Sequence, residues 1–156
     1  MGGTRWGFVL VVISLIVLHF VLRIGLGWGQ LAPDLIVAAL LIAAREMRAD
    51  LAAGLGLLLG VLEGSVIPFT LGSSAIALTI LGYLGARTRD LVAGDSLLFL
   101  AFYLFAGKWL FDLLLYLATG AIIGPEASSL LLISPLAALY VAAVGVLTLS
   151  LYRVAT

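Results

Sequence analysis

The chain has 156 residues, of which 64% are hydrophobic and 10% charged, and its eight acidic and eight basic side chains cancel to a formal net charge of zero. A soluble domain carries about 45–50% apolar and about 25% charged residues, so this composition excludes a water-facing globule, a disordered chain and a basic nucleic-acid binder. The lack of cysteine excludes disulfides, thiolate metal sites and cysteine catalysis, and a single histidine, His19, excludes a multi-histidine metal centre within one chain.

Six apolar segments follow one another, and a membrane span needs about 20 residues. The first, residues 6–22, is rich in Val, Leu and Ile and lies between Arg5 and Arg23. Its apolar run is longer than that of a signal peptide and no small-x-small cleavage site follows, so it reads as an uncleaved helix. The second, residues 31–47, opens with Pro33 in its first turn, where a missing N–H costs nothing. Asp34 then falls at the positive end of the helix dipole. Its clean apolar part, Leu35 to Ala44, covers only about half of a ~30 Å hydrocarbon core, so Arg45 and Arg48 must snorkel or neighbours must shield the helix.

The third segment, residues 51–68, follows the charged turn Arg45, Glu46, Arg48 and Asp50. The fourth, 69–86, ends at Arg87, Arg89 and Asp90, and the fifth, 97–118, carries Lys108 and Asp112 inside it. A loop with Gly120, Gly124, Pro125 and Glu126 precedes the sixth, 134–151, with Ser129 to Ile133 as a short interfacial helix before it. The expected fold is thus an all-α integral membrane protein, a compact six-helix bundle forming one polytopic domain over residues 1–156. Six spans put Arg5, Arg45, Arg48, Arg87, Arg89 and Arg153 on one side and only Arg23 on the other. The positive-inside rule then predicts that both termini are cytoplasmic.

Two constellations stand out. Ala52, Gly56, Gly60 and Gly64 recur every fourth residue and form a smooth stripe on one face of the third helix, against which another backbone can approach closely. The stripe serves either helix contacts within the bundle or the docking of a partner's transmembrane helix. Beside it, Glu63 lies twelve residues after Leu51, about 18 Å into the membrane, where a charge costs roughly 2.5–3.5 kcal/mol unless neutral or paired. Lys108 reaches nearly the same depth, and Asp112 is one turn further on the same face. This predicts an intramembrane cluster of Lys108 and Asp112 with Glu63 as a third member, serving helix register, a substrate or proton site, or a polar contact with another membrane protein. His19 reads as an interfacial or packing residue. No nucleophile–base pair, phosphate loop or metal-ligand spacing is present, which leaves little for catalysis to stand on.

Over Pro33 to Arg89 the chain resembles the bacterial rod shape-determining MreD family. The resemblance rests on Pro33-Asp34-Leu35, the basic turn, the glycine-rich third span, Thr70-Leu71-Gly72 and Gly82-Tyr83. Members usually carry an acid where this chain has Gly64; here the acid is Glu63, a step that rotates the carboxylate by about 100°. The resemblance implies a non-enzymatic, cofactor-free inner-membrane scaffold of the cell-elongation machinery. Such a protein binds MreC and acts through it with MreB, RodA and a class B penicillin-binding transpeptidase. It also implies an architecture similar to the substrate-binding subunits of energy-coupling-factor transporters. The competing expectation is therefore a subunit for vitamin or other small-molecule uptake, with Asp34, Glu63 and Lys108 as its site near the outer loop that holds Trp28. An ion-conducting bundle based on Glu63, Lys108 and Asp112 is a third.

Overall fold

A computed structural model describes residues 3–25, 34–89, 96–125 and 127–155. All regular structure among them is helical: α1 (Gly3–Phe20), continued by a wider π-helical turn (Val21–Gly25), α2 (Leu35–Glu46), α3 (Ala49–Val66), α4 (Leu71–Thr88), α5 (Leu97–Thr119) and α6 (Ala127–Ala155), with short 3₁₀ turns at Pro68–Thr70 and Ala121–Ile123. Five of the helices are long and apolar enough to cross a membrane; α2 is not. The second predicted span is therefore corrected to a helix of 12 residues, about 18 Å long. Pro33 and Trp28 lie outside the described residues.

What α2 lacks in length it makes up in enclosure. All ten residues from Leu35 to Ala44 are buried, so the helix is shielded by its neighbours on every side. It begins level with the far part of α1 and ends at the basic end of the bundle, where Arg89 donates to the carbonyls of Arg45 (3.3 Å) and Met47 (2.9 Å). That guanidinium satisfies carbonyls that the end of a helix leaves unpaired. The same end gathers Ala44, Ala52 and Ala86 into a small apolar cluster of α2, α3 and α4, and places Gly7 of α1 against the Tyr152 ring of α6.

Glycines make room for the central helix. Leu41 of α2 faces Gly107 of α5 and Gly85 of α4, and Leu104 of α5 faces Gly145 of α6. A Cβ added at Gly107 would meet Leu41 Cδ2 at 3.0 Å, with Cδ1 nearer still. Gly107→Ala should therefore force Leu41 off its rotamer and cost about 1–3 kcal/mol, read as a lowered melting temperature in detergent. A melting curve unchanged by the methyl would show that α2 is more loosely held than this.

The α3–α4 hairpin is the closest helix contact. Positions Gly56, Gly60 and Gly64 lie on the backbone of α4 at Thr79, Ala75 and Leu71, and Gly82 of α4 lies on the Ala52 backbone. The stripe Ala52, Gly56, Gly60, Gly64 is buried and already covered by α4. As a docking face for another protein's helix it is thus corrected: a second helix would have to displace α4, because only one backbone can occupy a surface free of side chains.

The α5–α6 hairpin is held by polar side chains instead. α5 starts on the Ser96 cap, whose hydroxyl accepts from Leu98 N, and ends on Gly120 at φ 75°, a left-handed position that glycine takes without strain. α6 runs unbroken through Pro135 for 29 residues, so the predicted start at residue 134 and the separate interfacial helix merge into one element. Pro135 removes one backbone donor and ordinarily kinks or ends a helix. Here α5 holds the preceding turns in place: Tyr116 bonds Ser129, the Trp109 indole donates to the Leu130 carbonyl at 3.4 Å, and Ser134 donates to Asp112.

Candidate functional site: a buried ion network

α1 with its π turn, the start of α2, α3 and α5 send ionisable side chains to one layer of the bundle, and α6 adds a hydroxyl. On α1 and its π turn, His19 and Arg23 are four residues apart and both reach the Glu63 carboxylate of α3. His19 Nε2 lies 2.9 Å from Oε2, and Arg23 donates to Oε1. The wider turn re-aims the side chains beyond Phe20, and such turns recur at functional positions. Arg23 also approaches Asp34 Oδ1 at 3.4 Å. Asp34 is the residue ahead of α2, yet its side chain makes no capping bond. Its other oxygen takes Lys108 Nζ of α5 at 2.5 Å. Lys108 also bonds Asp112, which in turn accepts from Ser134 of α6.

The result is a continuous chain, His19–Glu63–Arg23–Asp34–Lys108–Asp112–Ser134, that ties together α1, α2, α3, α5 and α6. α4 adds no member to it and is held by the glycine contacts instead. His19 is fully buried, and Glu63 and Lys108 are nearly so. Lone charges at such depth would be costly; here each has a counter-charge in contact. Two fixed cations, Arg23 and Lys108, face three carboxylates, Asp34, Glu63 and Asp112. His19 Nε2, against Glu63 Oε2, is the further nitrogen in contact with these acids. His19 Nδ1 has no hydrogen-bond partner among the described residues.

The predicted cluster of Lys108, Asp112 and Glu63 is therefore correct for the pair and different for the third member. Lys108 and Asp112 bond each other, but Lys108's second partner is Asp34, and Glu63 belongs to His19 and Arg23. His19 and Arg23 are the members that sequence reasoning missed, one read as a packing residue and the other as a loop base. Their i, i+4 spacing, which puts both on one helix face, was the available signal. Arg23, counted as the lone base of the far side, is neutralised by its acids and so weighs little against the basic end.

His19, Asp34 and Glu63 bring ligand-type atoms within 4.8 Å of one another. The Arg23 guanidinium contacts both carboxylates, so the position a metal ion would take between them is held by a cation of the chain itself.

The hydrogen-bonding and charge roles of Glu63 can be separated. Glu63→Gln keeps an oxygen for Arg23 while removing one of the three negative charges, and should melt close to wild type. Glu63→Leu strips Arg23 and His19 of their buried partner and should lose about 3–5 kcal/mol. Equal losses in the two variants, measured by thermal unfolding in detergent, would show that charge alone is what Arg23 requires.

The fold and this site define a multi-pass, all-helical membrane protein built around a buried polar network. No family model matches the chain, and searches of curated proteins and of solved structures find no match either.

Proposed function

We propose that the protein is a non-enzymatic scaffold or regulatory subunit of the bacterial cell-elongation complex, MreD-like in kind, that binds MreC in the cytoplasmic membrane. The observation that carries this reading is the closure of the polar network. Asp34, Glu63 and Lys108, the side chains a substrate-binding subunit would use to hold its ligand, are committed to Arg23, His19 and Asp112. What remains for others is apolar helix surface facing the bilayer, including Leu10, Ile13 and Val17 on α1 and Leu132, Leu136 and Leu139 on α6. That suits a protein that works by holding other membrane helices. The resemblance over Pro33 to Arg89 supplies the particular complex, with MreB, RodA and a class B penicillin-binding transpeptidase reached through MreC.

The network also runs across the bundle in one layer rather than along it, which favours a structural role over ion conduction. With the glycine stripe taken by α4, MreC's helix has to dock on one of the lipid-facing surfaces. The cysteine-free chain allows this to be mapped. Single cysteines at Leu10, Ile13, Leu132 and Leu136, co-expressed with an MreC carrying one cysteine in its span, should cross-link along one helix face and not the other. If no position cross-links and affinity capture retrieves no MreC from co-expressing membranes, the reading fails. A small molecule retained at one per chain through purification, identified by mass spectrometry, would transfer it to the uptake subunit.

A further inference from the structure

α1 sits on the bundle differently from the other spans. Among the described residues of α1 and its π turn, Val12, Leu15 and His19 are buried, three positions on one helix face. α3 and α5 each bury six residues and α4 eight. The rest of α1 faces outward, with Leu10, Ile13 and Val17 half exposed or more. The helix beneath it is α2. The seam between them is made of bulky side chains, Val12 and Leu15 with Phe8, Val11, Ile16 and Phe20 half-buried around them. Gly7 meets the Tyr152 ring of α6 rather than α2, so this seam lacks the close backbone approach seen between α3 and α4.

Apolar packing of that kind is a weak hold inside a bilayer. No hydrophobic force presses two helices together there, because lipid chains are as apolar as the helix surface they would replace. Were α1 to separate, the α2 side chains it covers, apolar throughout from Leu35 to Ala44, would meet hydrocarbon instead at little cost. The ionic contacts have no such substitute. His19 and Arg23, one turn apart at the far end of α1 and its π turn, both hold the Glu63 carboxylate, His19 at 2.9 Å. Arg23 also reaches Asp34 at 3.4 Å. On separation Asp34 would keep Lys108, but Glu63 has no second cation among the described residues. A bare charge at its depth costs roughly 2.5–3.5 kcal/mol.

We propose that α1 is a latched helix: the Glu63 carboxylate, through His19 and Arg23, fixes it over α2, and releasing that side chain frees α1 from the bundle and bares one side of α2 to the bilayer. The latch does not depend on which partner the protein serves.

The cysteine-free chain takes spin labels at chosen pairs of introduced cysteines, and distances measured on the full chain in lipid nanodiscs test the latch. One pair, Ile13 with Leu136, spans α1 and α6; a control pair, Leu58 with Leu136, spans α3 and α6, and all three positions are exposed. His19→Leu/Arg23→Met/Glu63→Leu removes the latch whole, a replacement that buried ion pairs often tolerate. The Ile13–Leu136 distribution, narrow in the wild type, should then spread over about 10 Å, one helix diameter, while the control pair keeps its wild-type distance. Val12→Ala/Leu15→Ala thins the apolar seam and leaves the latch, so there the Ile13–Leu136 distribution should stay narrow. A wild-type Ile13–Leu136 distribution in the triple variant overturns the proposal, since packing alone then holds α1. So does a spread distribution in Val12→Ala/Leu15→Ala. Should the triple variant lose the control distance as well, Val12→Ala/Leu15→Ala decides by itself.

Discussion

Replacing Lys108 with Met should lower the stability of the bundle by about 3–5 kcal/mol, the cost of removing one partner from a buried ion pair. For a chain of this size that is about 10 °C in melting temperature. The reason is the position of Lys108 between Asp34 and Asp112. Without its ammonium, Asp112 keeps only Ser134, Asp34 keeps only the longer contact to Arg23, and one fixed cation faces three carboxylates. The double variant Lys108→Met/Asp112→Leu restores the original charge balance and should recover about half of the loss or more, because an ion pair replaced whole by apolar groups is often neutral. The cycle formed by the two single variants and the double one gives the coupling directly. A Lys108→Met protein that melts within about 2 °C of wild type would show that water reaches the acids and that the network is not closed.

Gly60→Leu should be as damaging, through backbone rather than charge. A Cβ at Gly60 falls on the Ala75 backbone of α4, 2.7 Å from the Ser74 carbonyl oxygen and 2.8 Å from Ala75 N. Backbone cannot rotate away as a side chain can, so α3 and α4 must separate. The loss should reach or exceed the ~3 kcal/mol upper range of ordinary overpacking. Gly54 is the matched control: it lies on the same helix, faces outward and has nothing within 4 Å of its Cβ position. Gly54→Leu should melt like wild type. If Gly60→Leu also does so but loses MreC, the stripe serves the partner after all and α4 gives way to it. Loss of MreC together with folding would point to the hairpin.

The two variants probe features of unequal legibility. The stripe was plain in the sequence, since four small residues at every fourth position can mean only a close backbone approach. Its occupant was not, because Leu71, Ala75, Leu78 and Thr79 of α4 carry no mark that distinguishes them from another protein's helix. The Lys108–Asp112 pair was legible because i, i+4 is a local relation fixed by helix geometry. The link from Lys108 to Asp34 was not, since it joins residues 74 positions apart and depends on α2 starting deep inside the bundle. Depth counting put Glu63 near Lys108, and the two are linked through Arg23 and Asp34, but depth says nothing about rotation. On α3, the Glu63 carboxylate points toward α1.

α2 shows the same limit in the element itself. In a soluble protein a helix apolar all round must be buried, and Leu35 to Ala44 would have been recognised as the core. In a membrane protein every span is apolar all round, because lipid accepts the same side chains as the interior does. By itself the sequence determined what is local or additive: the apolar, membrane-suited helices, the limits of α1, α3, α4 and α5 to within a few residues, the basic end, the stripe and the Lys108–Asp112 pair. Only the tertiary structure decided which helix lies at the centre, what covers the stripe and which charges meet. Lipid and protein interior are equally apolar, so hydrophobic periodicity carries no sign of inside or outside, and the pairing of helices rests on shape and on a handful of charges brought together from distant parts of the chain.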